Sequence, residues 1–254
     1  TAATWESKNP VLAAGEFGYD TTNKITKIGD GTTHWLDLDT FVTKPKPTFA
    51  ESDWETIAEE SEKGNAQKYF AVGDEKTIEL TTGEQVTLVI LGFNHDDLTS
   101  GGKAGITIGM KELLATKYRM NASNTNAGGW DESEMRTTTM QTLLGQLPSD
   151  LQAAIKSVNK KATSGGASTT IKTSSDKLFL FSEVEIDGTT SSGYASEGEQ
   201  YEYWKTVKDG TVAADRVKKL SNGGGSAISW WLRSPYLGNS TTFWCVGPSG
   251  DVNN

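Results

Sequence analysis

The chain has 254 residues, 35% hydrophobic and 22% charged, with 27 glycines and 6 prolines; this excludes a disordered polymer and describes a loop-rich globular protein. A formal charge of −9 argues against electrostatic capture of nucleic acid or of an anionic membrane, and no apolar run approaches the ~20 residues that span a bilayer. Cys245 is the single cysteine, so an intrachain disulfide is excluded and the fold is expected to hold by packing, with Cys245 as a small hydrophobe inside a strand.

Residues 1 to about 40 read as short strands, at 17–19 and 25–28, with a tight turn at Gly29-Asp30-Gly31. Trp35, Leu36 and Leu38 are expected to cap a small apolar face. Two or three strands bury too little surface to stand alone, so assembly with copies of itself is expected. Lys44-Pro45-Lys46-Pro47 opens a linker at 44–51, because X-Pro pairs favour extended backbone. Ser52 to Glu55 has the form of a capping box with Ser52 as N-cap, and Trp54, Ile57, Ala58 and Ser61 follow at helical spacing until Gly64.

Strands are predicted at 70–72, 77–80 and 86–93. In the last, Val86, Leu88 and Ile90 face one way and Val89, Leu91 and Phe93 the other, which requires a central, buried position. Asn94-His95-Asp96-Asp97 follows. A metal or acid–base site is one reading, but adjacent side chains do not easily converge on one ion, and a hydrogen-bonded turn is favoured. Asp131 can cap a helix through about Gly145, with Met135, Met140, Leu143, Leu144 and Leu147 on one side. Pro148 then starts a second helix with the stripe Leu151, Ile155 and Val158, and with Lys156, Lys160 and Lys161 near its C-terminus. A flexible loop at 164–168, a strand at 178–181 continuing through 186, and a long polar insertion at 187–200 precede the aromatic cluster Tyr201, Tyr203 and Trp204.

The last thirty residues organise the chain. Ile228, Trp230 and Leu232 fall on one face of a buried strand, Trp231 and Arg233 on the other, and Pro235 ends the pairing. Arg233 is expected to direct its five donors at backbone carbonyls or a carboxylate. A polar loop at 236–240, a short aromatic strand at 241–246 and a turn at 248–251 follow. A rigid strand carrying a polar and aromatic loop suits a binding surface; an ordinary final hairpin is the alternative.

The run Trp230-Trp231-Leu232-Arg233-Ser234-Pro235, with Asn126-Ala127-Gly128-Gly129-Trp130, Glu134-Met135-Arg136 and Leu91-Gly92-Phe93-Asn94-His95-Asp96-Asp97, resembles one particular family. It is the C-type-lectin-like domain of phage tail proteins and of Gram-positive bacterial surface proteins, and the likeness runs from about Trp54 to the end. The stretch from Asn9 through Phe17 to Tyr19, followed by Lys27 to Trp35, resembles the small N-terminal module of phage tail fibres and of the major tropism determinant family. These resemblances imply an α+β fold. A C-type-lectin-like domain at 52–254, two helices packed on twisted antiparallel sheets and lacking its last strand, follows a small all-β module at 1–43. They further imply a phage tail-fibre or tail-tip receptor-binding protein, part of the virion and extracellular after lysis, with a bacterial cell-surface adhesin as the alternative. The implied partners are two further copies in a homotrimer, other virion tail proteins at the N-terminal module, and a host surface glycan or protein.

The change of character at Pro235 makes Tyr236, Asn239, Ser240, Thr241, Phe243, Trp244, Asp251, Asn253 and Asn254 the expected receptor-contacting face. Trp130, Arg136, Trp230, Trp231 and Arg233 are the expected structural anchors. In the major tropism determinant family the equivalent stretch is diversified by a retroelement through mutation at adenines, and Asn239, Asn253 and Asn254 fit that bias. Catalysis is not expected: the histidines are His34 and His95, and no nucleophile-elbow, phosphate-loop or zinc spacing occurs. Formylglycine-generating enzymes share the lectin-like fold, but their chemistry uses cysteines, and Cys245 alone cannot supply a pair. The Glu-Pro-Asn or Gln-Pro-Asp run of sugar-binding lectins is absent, and Asp251 with Asn253 is a weak substitute, so neither calcium nor any cofactor is expected. No signal peptide is expected ahead of Thr1, and the chain is expected to be trimmed at both ends.

Overall fold

In the computed structural model, which describes residues 2–41, 47–188, 197–205 and 212–253, the chain packs as two units, Thr1–Pro47 and Thr48–Asn254. In the first, β1 (Phe17–Asp20) pairs antiparallel with β2 (Ile25–Ile28), and the Asp20 carboxylate closes the turn by accepting from the Thr22 and Asn23 amides. The unit is not all-β as expected. Ala2–Lys8 forms a helix, α1, of seven residues. Too short to persist alone, it is held by the stacking of Trp5 on Trp35, with ring centroids 4.1 Å apart. Leu12, Trp35 and Leu38 form the core, whereas Leu36 points outward, 52% exposed.

Residues 44–46 of the expected linker lie outside the described residues. At 48–51 the chain already turns, and Phe49 is buried in the larger unit's core. The next helix, α2 (Trp54–Glu62), is capped by Asp53, which accepts from the Thr56 amide at 2.7 Å. Ser52 was the expected cap. Its hydroxyl instead donates to the Thr48 carbonyl, because burying Phe49 turns that side chain inward.

The central strand is β4 (Gln85–Phe93), flanked by β3 (Glu75–Glu79) and β5 (Ile106–Met110). Each face of β4 belongs to a different core. Val86, Leu88 and Ile90 pack with α2, Phe49, Phe70 and Leu151, while Val89 and Leu91 pack with Ile186, Tyr201, Trp204, Trp230, Leu232 and Trp244. Phe93 joins the first group, not the second as alternation predicts. The register shifts between Ile90 and Gly92, and one extra residue reverses the facing of everything after it. The 70–72 stretch is not a strand; it follows a 3-10 turn at Ala66–Lys68.

The expected helix from Asp131 is broken into α3 (Gly129–Glu132), a π-turn at Met135–Thr139 and α4 (Met140–Leu144), because Ser133 adopts extended backbone. The second helix, α5, is only Ser149–Ala154. It stops at Ile155, whose backbone is extended, and Val158 instead opens β6 (Val158–Gly165), paired antiparallel with β7 (Ser168–Asp176). Lys160 and Lys161 therefore lie on a strand. Val158, Lys160 and Ala162 occupy its buried alternate positions. The segment at 178–181 is not a strand, since its Leu180 and Phe181 carbonyls accept from the Arg233 guanidinium and backbone amide. Then comes α6 (Glu183–Asp187), with a complete capping box between Ser182 and Glu185. A short α7 (Glu202–Lys205) and α8 (Val212–Asp215) precede the final sheet, in the order β10 (Val252–Asn253), β9 (Phe243–Val246), β8 (Trp230–Pro235).

Candidate functional site

The loop from Tyr236 to Thr242 joins β8 to β9, and a buried asparagine shapes it. Asn126 is fully buried, and its side-chain amide donates to the carbonyls of Tyr236, Asn239 and Thr242 at 3.1, 3.0 and 2.7 Å. Its oxygen accepts from the Gly166 amide at 2.9 Å, tying the loop to the β6–β7 turn. This approach depends on glycine at two places. A Cβ on Gly165 would meet the Asn126 carbonyl at 1.7 Å, and one on Gly129 would meet the Thr163 carbonyl at 2.1 Å. Both also have positive φ, which suits glycine alone. The turn at Gly128-Gly129 drops Trp130 into the interior, where its indole N–H donates to Asp176 at 2.9 Å; Arg136 Nε holds the other oxygen of Asp176 at 2.7 Å.

Within the loop, the Asn239 carboxamide accepts from the amides of Thr241 and Thr242, both at 2.9 Å. The side chains of Asn239, Ser240 and Thr241 are exposed, and Tyr236 is half-buried with its ring edge-on to Trp244. Two members of the expected face are corrected. Phe243 and Trp244 are 2% and 5% exposed, since β9 is covered on both sides and their rings fill two separate cores. Neither can touch a partner without unfolding the hairpin. Asp251 and Asn253 are exposed, but the turn at 247–251 leaves the opposite end of β9 from the 236–242 loop, about 13 Å away at ~3.3 Å per residue. The expected face is thus split into two patches. Asn254 lies outside the described residues.

Among the expected anchors, Trp130, Trp230 and Arg233 are buried, and Arg136 is held by Asp176. Trp231 is the exception at 38% exposed. It sits beside Cys245, which pairs with Asn253, on the outer face of the sheet, and its indole N–H donates to the Tyr118 carbonyl. Trp231→Ala is accordingly expected to cost about 2–3 kcal/mol, less than truncating a fully buried tryptophan, and a melt should still be cooperative.

Strand β8 also anchors a buried charged network. Arg233 places all five donors: on the carbonyls of Lys161, Leu180 and Glu197, and in a fork on both oxygens of Glu185 at 2.5 and 2.8 Å. Glu185 also accepts from Lys160, which reaches Asp96 at 2.7 Å, and Asp96 in turn accepts from Thr107 and the Tyr201 hydroxyl. Burial alone would raise the Glu185 carboxyl, but the charges of Arg233 and Lys160 bring it below its ordinary value; Asp96 behaves alike through Lys160. Burial pushes the Glu197 carboxyl up, against the pull of Ser234 and Arg233. Burial lowers the His95 imidazole, which stacks on Tyr201 with centroids 4.0 Å apart.

The expectation for Asn94 to Asp97 was a turn, and the structure gives each carboxylate a partner. Asp96 turns inward to Lys160, and Asp97 outward to Lys103 at 2.7 Å. Among the described residues no group of histidine, cysteine and carboxylate side chains is arranged to hold a metal ion. Sequence reasoning did not find Asn126 as the loop clamp, Lys160 and Glu185 as members of the buried network, or Asp176 as the partner of Trp130 and Arg136. For Glu185 a signal existed in the Ser182-x-x-Glu185 capping pattern.

Residues 105–254, more than half the chain, match the family model described as Domain of unknown function (DUF6273). The chain belongs to the DUF6273 family. The matched DUF6273 region starts at Gly105, inside the stretch where the resemblance was expected to begin near Trp54, and it contains Asn126, Lys160, Glu185, Arg233 and the 236–242 loop. Residues 1–33 match the model of the major tropism determinant N-terminal domain, so this end of the chain resembles a phage tropism determinant, as expected, and is consistent with a virion-associated protein. No curated protein matches the chain, and neither does any solved structure. No helix among the described residues is long and apolar enough to cross a membrane.

Proposed function

We propose that this chain is a receptor-binding protein of a phage tail fibre or tail tip, which contacts a host surface glycan or protein through the 236–242 loop. The observation that carries this reading is the loop clamped from below by Asn126 while Asn239, Ser240 and Thr241 present their side chains to solvent. Such a loop has lost its conformational entropy before binding, so a partner need not supply it. The tropism-determinant match at residues 1–33 supports placement on a virion. The larger unit is read as a C-type-lectin-like domain that binds and does not catalyse. The network of Asp96, Lys160, Glu185 and Arg233 is fully engaged within the fold, which supports a structural role for it. Ser240 and Thr241, whose exposed side chains carry little fold energy, are also where sequence diversification is tolerated, whereas Asn239 closes the loop on itself.

The double variant Ser240→Arg, Thr241→Arg tests the assignment. Both side chains are exposed, so stability should change by no more than about 0.5 kcal/mol while adsorption of particles carrying the variant is lost. Normal adsorption would move the contact face to the other patch, at Asp251 and Asn253.

The N-terminal unit is read as a trimerisation and tail-attachment module. Phe17, Tyr19, Leu36 and Phe41 are 63%, 49%, 52% and 56% exposed, a large apolar share for so small a unit and one that association would cover. Native mass measurement at micromolar concentration should return three copies. A monodisperse monomer would rule the trimer out.

A further inference from the structure

The larger unit holds a cavity of about 980 Å³ between β5, α4 and the 178–181 segment, at the top of the range of roughly 300–1,000 Å³ of small-molecule sites. Ile108, Met110, Leu114, Leu143, Phe179 and Trp230 line it. All except Trp230 are only partly buried: each packs against a core on one side and leaves apolar surface on the cavity wall.

Its charges run against those of the protein. The chain carries a net −9, yet five lysines line the cavity against three carboxylates. Lys156 is neutralised by Glu62, Lys103 by Asp97, and Asp96 is taken by Lys160. Lys117 and Lys177, both exposed at the rim, form no ion pair among the described residues. Neither does Lys218, which is buried. Its ammonium donates to the carbonyls of Met110 and Lys111 and lies 5.3 Å from the centre of the Trp230 ring. An ammonium has three donors, and the third has no partner among the described residues. Burial lowers this ammonium to about 8, against the opposing pull of Glu112. Among the described residues Lys218 forms no ion pair, and Glu112 is the one lining carboxylate left to offset it and the two rim lysines; an apolar wall with that surplus of positive charge suits a ligand that brings an anion and a hydrocarbon together.

We propose that this cavity binds a free single-chain amphiphile with an anionic head, a long-chain fatty acid in its simplest form, the tail lying along β5 and the carboxylate reaching the lysines. The site is separate from the 236–242 loop, and adsorption and amphiphile binding can fail independently.

The experiment is displacement of cis-parinaric acid from the full chain. Palmitate should displace it, and shortening the chain towards decanoate should weaken displacement by about fourfold per methylene. Hexadecanol, with the same tail and no charge, should be at least about tenfold weaker than palmitate. Leu143→Trp, which narrows the cavity, should abolish binding. Lys218→Met should erase the difference between acid and alcohol. Should that variant fail to fold, Lys117→Glu with Lys177→Glu at the exposed rim should weaken palmitate by about tenfold and leave the melting temperature unchanged. No displacement by palmitate, equal displacement by hexadecanol, unaltered binding by Leu143→Trp, or preference for phosphatidylglycerol vesicles over free palmitate would each overturn the proposal.

Discussion

Arg233→Met is expected to lower the stability of the larger unit by about 3–5 kcal/mol, the usual cost of stranding a buried charge. For a unit of this size that is a fall of roughly 10 °C or more in melting temperature, and much of a domain's total stability of about 5–15 kcal/mol. The cost does not come from lost packing, since methionine fills similar volume. It comes from Glu185, fully buried and forked onto the guanidinium, and from the carbonyls of Lys161, Leu180 and Glu197, which lose their donors together. Replacing Glu185 as well, by leucine, removes the stranded carboxylate and should recover part of the loss, although Lys160 then keeps Asp96 alone. The pH dependence has a definite sign. In the unaltered chain Glu185 and Asp96 are held below their ordinary values, so their contribution is present above about pH 4 and is lost as pH falls through the folded values. In Arg233→Met the burial of Glu185 is no longer offset by the guanidinium. Its carboxyl moves up, and the deficit relative to the unaltered chain should narrow as pH is lowered towards 4. A variant that melts within two or three degrees of the original would show that the network does not hold the fold.

Asn126→Ala should have the larger effect on adsorption. It removes the donor shared by three loop carbonyls and the acceptor for Gly166, at a position with no exposed surface. Each buried group left without a partner costs about 1–3 kcal/mol, but water can reach the outer carbonyls once the loop lifts, so a net loss of about 2 kcal/mol is expected. Hydrogen exchange should locate the damage: the Tyr236 amide, bonded to the Thr242 carbonyl at 2.8 Å, should exchange faster, while amides of β4 stay protected. Adsorption should then fall although no exposed side chain has changed. If the loop amides are deprotected and adsorption is normal, the ordered loop is not what the partner reads.

Some of this was legible locally. Period-two alternation located β4, and its apolar character on both faces required a central position. An arginine inside a buried strand needs its donors satisfied, so the environment of Arg233 could be anticipated without knowing which groups supply it. The strand at 243–246 and the turn after it followed from β-branched and aromatic residues before Pro248-Ser249-Gly250, whereas the domain was expected to lack its last strand and β10 pairs with β9. Other features misled for stated reasons. Lys160 reads as a surface residue near a helix end, yet it holds a buried strand position, because Asp96 and Glu185, 64 and 25 residues away, meet its charge. β7 was missed because Ser168 to Asp176 is nearly all polar, and its strand character comes from pairing with β6.

What the sequence by itself determined is the set of requirements each segment carries: turns at glycines, a two-faced strand at 85–93, and a guanidinium that must be satisfied. What only the tertiary structure decided is who meets them. Asn126 could have been a turn asparagine until Gly129 and Gly165 allowed the backbone close enough for its amide to reach three carbonyls of a distant loop. Phe243 and Trp244 could have been a contact surface until two cores closed over β9. The reason is common to both cases. Burial and pairing are properties of segments brought together from far apart in the chain, and neither spacing nor residue type encodes which distant partner arrives.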